Sequence, residues 1–423
     1  MNRYESYKET GVQWIGEIPI HWGISRLKFL SNKLRSGGTP KADNSNFYTD
    51  ESGTPWVAIA DMSTVDFVKE TEKHLTKAGL KDKNLQIYPA GTLLYSIYAT
   101  LGKVAELSIP AAINQAILAI SLKKNYLQSF CKYVLKAQEK FVIGLASTNT
   151  QANLNAEKVS NYYMPVPPLE EQKAIADFLD AKTAELDEEK QNCLKQIDLL
   201  KELKQSFIKK SILSTERKQI KLKYILKQSD NNLKVGPFGT ALKGDDFKIE
   251  GYWVYNQRCV LDNNFVSNDT FVTEQKFSEL KSFKVYPQDV LITTRGTIGK
   301  IAVVPENAPE GILHPCIIRF VIDEKKYDVR LLKYMFNESD LLLTQVKLMS
   351  NSTTIDVLYS YNLKNLRLPL ISIDEQHSIA NFLDQKTANI DEQIKLQEQQ
   401  IKLIDELKQS IIAQAVTGKI KVF

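Results

Sequence analysis

The residues of this chain that could carry chemistry do not fall into the spacings that a catalytic site needs. The segment Gly296-Thr297-Ile298-Gly299-Lys300 ends like a phosphate-binding loop, but it lacks the first glycine of that motif. Ile301 also stands where a serine or threonine would bind magnesium. The related segment at residues 100–103 matches the motif even less well. A β-turn is therefore the favoured interpretation of both segments.

The other reactive side chains also give no indication of a catalytic site. The four histidines, which are His21, His74, His314 and His377, show no metal-binding spacing. A Ser-x-x-Lys pattern begins at Ser206, but a lysine-rich chain produces this pattern by chance. The proline-rich residues 164–168 lack the Asn or Asp that an amino-methyltransferase motif requires. The sequence predicts a protein that does no chemistry alone.

A segment that occurs twice is the most informative feature of the sequence. Residues 171–184 read EQKAIADFLDAKTA, and residues 375–388 read EQHSIANFLDQKTA. The register then holds without a gap through residues 202–206 and 406–410, at a constant offset of 204. This offset is about half the chain, so the molecule is a tandem duplication.

Each copy of the repeat has the pattern of one long helix. Residues 169–214 contain no glycine or proline, and Ser372 and Glu375 have the spacing of a capping box at the start of the second copy. About 45 residues at 1.5 Å each predict a rod of roughly 68 Å.

The two predicted rods carry heptad patterns that require a partner helix. In the first copy the core positions are Leu186, Cys193, Ile197, Leu200 and Phe207, with Lys190 and Lys204 in the remaining slots. In the second copy they are Ile390, Ile394, Gln397, Ile401, Ile404 and Ile411, with Lys408 as a polar interruption. We expect each copy to pair with the other; the alternative is two helices packed on two separate domains.

The segments before each rod are rich in short β-type runs and are distant relatives of each other. Residues 88–94 resemble 286–292, and residues 100–105 resemble 297–302, at offsets that drift between 195 and 200. The layout is insert, rod, insert, rod, which predicts a pseudo-twofold arrangement if the rods pack antiparallel. Two different inserts held on a rigid rod would recognise two different targets at a fixed separation. The half-sites of a DNA sequence have such a fixed spacing.

Bulk composition restricts the environment and the partners. The chain has 423 residues, a net charge of +5 and no apolar run near the ~20 residues of a membrane span. The N-terminus lacks signal-peptide features, and the dispersed Cys131, Cys193, Cys259 and Cys316 favour cytosolic thiols, so we expect a cytoplasmic protein without a membrane partner. The mildly basic charge suggests that another subunit shares the phosphate contacts.

The repeated Glu-Gln-x-x-Ile-Ala-x-Phe-Leu-Asp-x-Lys-Thr-Ala segments, each preceded by proline, resemble the repeats of the specificity subunit of type I restriction-modification systems. The opening residues 7–19 and the motifs Gly37-Gly38-Thr39-Pro40 and Gly236-Pro237-Phe238-Gly239 are similar to that family too. The resemblance spans the whole chain.

The resemblance implies an α+β fold with two α/β target-recognition domains and two long antiparallel helices in a coiled coil with pseudo-twofold symmetry. The recognition domains would be residues 1–155 and 215–358, and the repeat regions residues 156–214 and 359–423. Each recognition domain would read one half of a split, asymmetric site in double-stranded DNA. The repeats would bind two modification subunits that use S-adenosylmethionine to methylate adenine. Two restriction subunits, which use ATP and magnesium, would join them; the chain itself would hold no cofactor or metal.

Candidate DNA contacts follow from groove chemistry, in which Arg and Lys suit guanine or phosphate and Asn and Gln suit adenine. In the first recognition domain we predict Thr39, Lys41, Tyr98, Lys103, Asn149 and Gln151. In the second we predict Lys243, Arg258, Arg295, Thr297, Lys300 and Thr353. For each of these the plain alternative is a solvated turn residue, and for Tyr98 it is core packing.

Two other functions remain open at this point. The chain could be a non-catalytic coiled-coil scaffold that displays two protein-binding domains, which would show no sequence preference on DNA. It could also be an unrecognised nuclease, which would cut DNA alone in a metal-dependent way.

Overall fold

The computed structural model describes residues 2–50, 52–148, 154–213, 217–238, 241–349 and 357–423, with the backbone alone for 145–148. The chain forms two compact units. Unit 1 comprises Met1–Cys193 and Glu398–Phe423, and unit 2 comprises Leu194–Gln397. The division falls inside both long helices, so each unit contains one sheet-bearing module and a part of each helix. The domain boundaries given above remain a prediction.

Unit 1 is built from short strands with short helices between them, and a long helix follows the last strand. Its strands are β1 (Tyr7–Glu9), β2 (Glu17–Pro19), β3 (Gly23–Arg26), β4 (Ser31–Ser36), β5 (Tyr48–Thr49), β6 (Thr54–Val57), β7 (Phe67–Val68), β8 (Lys73–Leu75), β9 (Leu93–Ser96), β10 (Val104–Leu107), β11 (Ala112–Ile113), β12 (Ile117–Leu122) and β13 (Tyr163–Val166). Its helices are α1 (Leu27–Leu30), α2 (Ile59–Met62), α3 (Lys77–Asp82), α4 (Gln128–Ala137), α5 (Glu139–Thr148), α6 (Ala156–Ser160) and the first part of α7 (Leu169–Ile212).

Two sheets form the module of unit 1. One has the order β4-β12-β9-β10-β7 and the other β11-β6-β8-β5, with two-stranded pairs β1-β2 and β13-β3 beside them. All four residues of β9 are buried, which is expected of a strand covered on both faces. The core combines this sheet with Trp22 of the opening segment, Leu179 of α7 and Ile411 near the C-terminus.

Unit 2 repeats this plan with fewer strands. Its strands are β14 (Gln219–Lys221), β15 (Leu233–Val235), β16 (Tyr252–Tyr255), β17 (Phe271–Val272), β18 (Val290–Thr293), β19 (Ile301–Val303), β20 (Gly311–Leu313), β21 (Ile317–Phe320) and β22 (Arg367–Pro369). Its helices are α8 (Gln257–Leu261), α9 (Glu274–Glu279), α10 (Val329–Asn337), α11 (Asp340–Met349), α12 (Ser360–Asn365) and most of α13 (Ile373–Val416).

Each strand of the two main sheets of unit 2 has a counterpart in unit 1, which has one further strand in each sheet. The orders are β15-β21-β18-β19 and β17-β16-β20, with β14 paired to β22. The registers agree: Leu94 of β9 lies opposite Ala119, and the equivalent Leu291 of β18 lies opposite Arg319. The predicted mixed fold, with one long helix for each copy of the repeat, is confirmed.

Both long helices span 44 residues, about 66 Å at 1.5 Å per residue. The predicted capping box is half formed, because the Glu375 N–H lies 3.4 Å from the Ser372 hydroxyl oxygen while the Glu375 carboxylate binds Arg217 at 2.7 Å. Among the described helices, none is long and apolar enough to cross a membrane.

Within each unit the two long helices pack antiparallel. In unit 1, Asp187 binds Lys408 at 2.6 Å, and three residues further along α7 Lys190 binds Asp405 at 2.8 Å, three residues back on α13. In unit 2, Lys204 binds Asp391 at 2.9 Å and Phe207 packs edge-on against Phe382. The lysines that interrupt the heptads therefore pair with carboxylates of the other helix. Leu186, Cys193, Ile197, Ile390, Ile404 and Ile411 are buried as the heptads predict.

The glutamine of the repeated Glu-Gln pair attaches each helix to its module. The Gln172 side chain accepts from the Leu127 N–H at 2.8 Å and donates to the Pro167 carbonyl at 2.9 Å. Gln376 accepts from the Asp328 N–H at 2.8 Å and donates to the Ile371 carbonyl at 2.8 Å. Both glutamines are at most 1% exposed, so they join buried backbone groups that would otherwise lack partners.

Candidate nucleic-acid interface

A hairpin turn with the same construction projects from the larger sheet of each unit. In unit 1 it joins β9 to β10, and the Lys103 N–H donates to the Ser96 hydroxyl at 2.9 Å. In unit 2 it joins β18 to β19, and the Lys300 N–H donates to the Thr293 hydroxyl at 3.1 Å. Two hairpins that differ in the side chains of their tips thus share one backbone frame.

Left-handed backbone positions shape both turns. Gly102 and Gly299 close them with φ of 82° and 75°. At the tip, Ala99 with φ of 60° corresponds to Gly296 with φ of 66°. An alanine in this region is strained by about 1 kcal/mol or more, and such strain concentrates where a loop must present a side chain. The tips present Tyr98, which is 40% exposed, and the exposed Arg295.

A glycine next to each turn lets a second loop leave the sheet. A Cβ on Gly37 would lie 1.8 Å from the Ile113 carbonyl oxygen, and one on Gly236 would lie 2.1 Å from that of His314. No other residue tolerates such an approach without moving the backbone. The chain continues into residues 38–41 in unit 1 and into Phe238, which is 60% exposed, in unit 2.

A third segment, which we call the middle segment, lies between these two loops in both units; it comprises residues 113–117 in unit 1 and 313–317 in unit 2. In unit 1 the Gly37 N–H donates to the Ile117 carbonyl at 3.2 Å and the Ile97 N–H to that of Ala116 at 2.8 Å. In unit 2 Gly236 and Thr294 make the same bonds, at 3.0 Å each, to Ile317 and Cys316. Three loops therefore converge at one edge of each module, which is the surface we call the loop edge.

Of the predicted contacts in unit 1, Thr39, Lys41 and Tyr98 lie on the loop edge, whereas Lys103 binds a carboxylate of its own module. Thr39 donates a hydrogen bond to the Gln115 side chain of the middle segment, and Lys41 is exposed two residues further on. Tyr98 is at the hairpin tip. The Lys103 ammonium group binds the Glu139 carboxylate at the start of α5 at 2.7 Å. Asn149 and Gln151 lie outside the described residues.

In unit 2 the structure brings three predicted contacts together. Arg295 and Thr297 share the hairpin tip, and the Gln257 amide donates to the Thr297 carbonyl at 3.3 Å. Gln257 begins α8 beside Arg258, whose guanidinium binds Asp269 at 2.7 Å. The Thr270 hydroxyl and Arg258 together lower the pKa of the Asp269 carboxyl.

The remaining predicted residues of unit 2 lie apart from that group. Lys243 is exposed at the start of a 3-10 turn (Gly244–Asp246), where its N–H donates to Asp246 at 2.7 Å. The Lys300 ammonium group donates to the Asn337 carbonyl at the end of α10, at 2.7 Å. Lys103 and Lys300 thus occupy equivalent places and each already binds an acceptor of its own module. Thr353 lies outside the described residues.

Sequence reasoning missed the middle segment of the loop edge. In unit 1 the Asn114 side chain accepts from the Ala116 N–H at 2.9 Å, and in unit 2 the Nδ1 atom of His314 accepts from the Cys316 N–H at 3.1 Å. His314 also stacks on Phe247, and burial lowers its pKa, so the neutral imidazole is the form that fits. Aligning residues 113–117 with 313–317 at an offset of 200 would have revealed the pair.

The geometry of the described residues suits recognition. No group of three or more His, Cys, Asp or Glu side chains among them is arranged to hold a metal ion. A cavity of about 200 Å³ beside α8 is lined by Asn256, Arg258, Asn264, Ser267 and Asp269. Amides, hydroxyls and a guanidinium group at such a surface are the groups that read base edges and phosphates.

Known proteins are similar to this chain over most of its length. The family model of the type I restriction modification DNA specificity domain matches residues 19–196 and again residues 239–404. The specificity subunit of type I restriction enzyme EcoBI from Escherichia coli is 24% identical over 399 residues, which cover 89% of this chain and 82% of that protein. The MjaIX specificity subunit from Methanocaldococcus jannaschii is 22% identical over 452 residues, covering 99% and 98%.

Two solved structures share the fold. One, from work on complex assembly and conformational transition of the type I R-M system, aligns with a TM-score of 0.72 at 16% identity, over 95% of this chain and 99% of that one. The crystal structure of the HsdS subunit from Thermoanaerobacter tengcongensis aligns with a TM-score of 0.54 at 16% identity, over 95% and 98%.

Two modules have like frames and unlike loop edges, and each stands on one copy of the repeated helix, which is the arrangement of a DNA-recognition subunit. The chain belongs to the family of type I restriction modification DNA specificity domains, whose model covers it twice. It is thus a sequence-specificity subunit, and nothing favours the protein-binding scaffold.

Proposed function

We propose that each loop edge reads one half of a split, asymmetric DNA site, and that the two halves differ because the exposed side chains of the two edges differ. The observation that carries this proposal is the pairing of equal backbone frames with unequal tips, Tyr98 in unit 1 and Arg295 in unit 2. An arginine at a tip suits guanine in the major groove, whereas a tyrosine suits stacking or phosphate contact.

The partners follow from the same proposal. The chain would recruit two modification subunits, which would bind S-adenosylmethionine and methylate adenine, and two restriction subunits, which would use ATP and magnesium. It would act in the cytoplasm. The relatives are named as parts of type I restriction enzymes, which supports a multisubunit complex of this kind.

The test is a map of methylated adenines in a host that expresses this chain with its cognate modification subunit. Single-molecule sequencing should reveal one two-part, asymmetric motif with a fixed gap. Methylation of one contiguous motif would contradict the proposal.

Single substitutions would then assign each half to a unit. Arg295→Ala should weaken discrimination in one half only, by roughly 5- to 150-fold at the affected base pair, the range expected for about 1–3 kcal/mol. Tyr98→Ala, which removes a stacking or phosphate contact, should lower methylation of the two-part site without relaxing the half that Arg295 reads. Lys325→Ala, a change of an exposed cation of unit 2, is the matched control and should leave both halves intact.

A further inference from the structure

The same hydrogen-bonded contact joins the module to the long helix in both units. The Tyr133 hydroxyl of α4 donates to Asp180 of α7 at 2.6 Å, and the Tyr334 hydroxyl of α10 donates to Asp384 of α13 at 2.8 Å. Both aspartates belong to the repeated Asp-x-Lys-Thr motif. The threonine of that motif also faces the tyrosine, at 3.2 Å for Thr183 and 2.9 Å for Thr387.

A cation reinforces each aspartate. The Lys132 ammonium group lies 3.2 Å from Asp180, and the Arg330 guanidinium lies 3.0 Å from Asp384. Burial and then the contact with Asp180 raise the pKa of Tyr133, and burial is also the main reason that the pKa of Tyr334 rises to about 12. Both hydroxyls therefore stay protonated and remain donors at any physiological pH.

This contact supplies a second point of attachment beyond the buried glutamine. Gln172 and Asp180 are eight residues apart on α7, and Gln376 and Asp384 are eight apart on α13, which is roughly 12 Å along each helix. The module cores also pack against the helices, through Leu179 in unit 1 and Leu383 in unit 2, but apolar packing is not directional. Two hydrogen-bonded points separated by about two turns add directional restraints on the tilt.

We propose that Tyr133 with Asp180, and Tyr334 with Asp384, are positioning residues that fix the tilt of each module and thereby restrict the gap lengths that the protein accepts between its half-sites. This inference rests on the function proposed above. Successive base pairs are about 3.4 Å apart, so a tilt that moves a loop edge by that distance would bring a half-site one base pair nearer or farther into reach. The tyrosines touch no base; they act through the loop edges.

The test uses the complex of the full chain with its modification subunit, and plasmids that carry the two wild-type half-sites at the native gap or at gaps one or two base pairs shorter and longer. Tyr133→Phe with Tyr334→Phe removes two hydroxyl groups and little volume. We expect the ratio of methylation at the one-base-pair-altered gaps to methylation at the native gap to rise roughly tenfold, the factor that about 1.4 kcal/mol represents.

Conservative and control variants separate positioning from stability. Asp180→Asn with Asp384→Asn keeps an oxygen that accepts a hydrogen bond from each tyrosine but removes the charge that pairs with Lys132 and Arg330. It should retain more of the wild-type gap preference than Asp180→Ala with Asp384→Ala, which should lose it. Tyr359→Phe, at an exposed tyrosine, should behave as wild type.

The outcomes distinguish this inference from the function on which it rests. If the phenylalanine variant loses methylation equally at every gap, the contact only stabilises the fold and the positioning role is wrong. If the wild-type complex itself shows no two-part motif, the proposed function fails instead.

Discussion

Units 1 and 2 have the same frame, and beyond the additional strands of unit 1 they differ in two places, which are the loop edge and the interior of the larger sheet. The frame includes the buried glutamine, the hairpin closed by Gly102 or Gly299, and the tyrosine–aspartate contact. Inside the sheet, unit 1 has Ala119 and Thr92 where unit 2 has Arg319 and Asp289, which form a buried ion pair at 3.2 Å. The duplicated halves therefore preserve backbone geometry and attachment while both surface and core side chains diverge.

The largest expected effect comes from breaking the ion pair that unit 2 alone has at this position. Arg319→Ala installs the unit 1 residue and leaves Asp289, which is 3% exposed, without its cation. Removing one partner of a buried pair typically costs about 3–5 kcal/mol of unfolding free energy. Urea unfolding, with hydrogen exchange of the β18 amides as the readout of unit 2, measures the loss.

A double variant tests whether the isolated charge of Asp289 causes the loss. Arg319→Ala with Asp289→Thr reproduces the unit 1 pair and removes the isolated charge, so it should recover at least half of the loss. Lys325→Ala, at an exposed site, should stay within about 0.5 kcal/mol of wild type. Equal losses in the single and double variants would show that the pair is not what distinguishes the two cores.

The next effect should be the same in both units, because the buried glutamines make equivalent bonds. Gln172→Leu and Gln376→Leu each leave a backbone N–H and a buried carbonyl group unpaired, at a cost of about 2–3 kcal/mol. Hydrogen exchange of α4 and α10 amides would report each unit separately. Glu188→Ala, on an exposed position of α7, is the control. A cost in one unit that exceeds the other by more than about 1 kcal/mol would contradict the equivalence.

The long helices of the repeated frame could be predicted from the sequence because their segments are long and strongly periodic. The heptads and the absence of glycine and proline predict α7 and α13, and the lysines in heptad slots required partners that the structure supplies as Asp187, Asp391 and Asp405. Periodicity and helix breakers act locally, so a single chain reveals them.

The loop edge could be predicted only in part because it depends on contacts between distant segments. Groove chemistry predicts Tyr98 and Arg295, which lie at the hairpin tips. Asn114 and His314 each accept from the N–H two residues ahead, but their segments reach the loop edge only by pairing with distant residues such as Gly37 and Gly236. Lys103 and Lys300 looked like free cations in sequence, and their acceptors are more than 35 residues away. Which predicted residues touch DNA stays a prediction.

The smallest effect concerns the histidine of the middle segments, because His314 in unit 2 takes the place of Asn114 in unit 1. Since burial lowers the pKa of His314 below its ordinary value of about 6.5, the unfolded chain takes up a proton on this residue at a higher pH than the folded chain. Its stabilising contribution is complete above pH 6.5 and is lost as the pH falls through the folded pKa. His314→Asn should remove this dependence while keeping an acceptor for the Cys316 N–H.

We therefore expect the stabilities of wild type and His314→Asn to converge or cross between pH 8 and pH 5, with a relative change of at most about 1.4 kcal/mol per pH unit and in practice less, since the imidazole is half-buried. Urea midpoints at pH 5, 6.5 and 8, compared between the two proteins, cancel the titration of every other group. The reciprocal Asn114→His should introduce the same acid sensitivity into unit 1. A constant difference between the two urea midpoints across this range would mean that the contact with the Cys316 N–H does not require a neutral imidazole. Histidine and asparagine would then be interchangeable in the two middle segments at any pH.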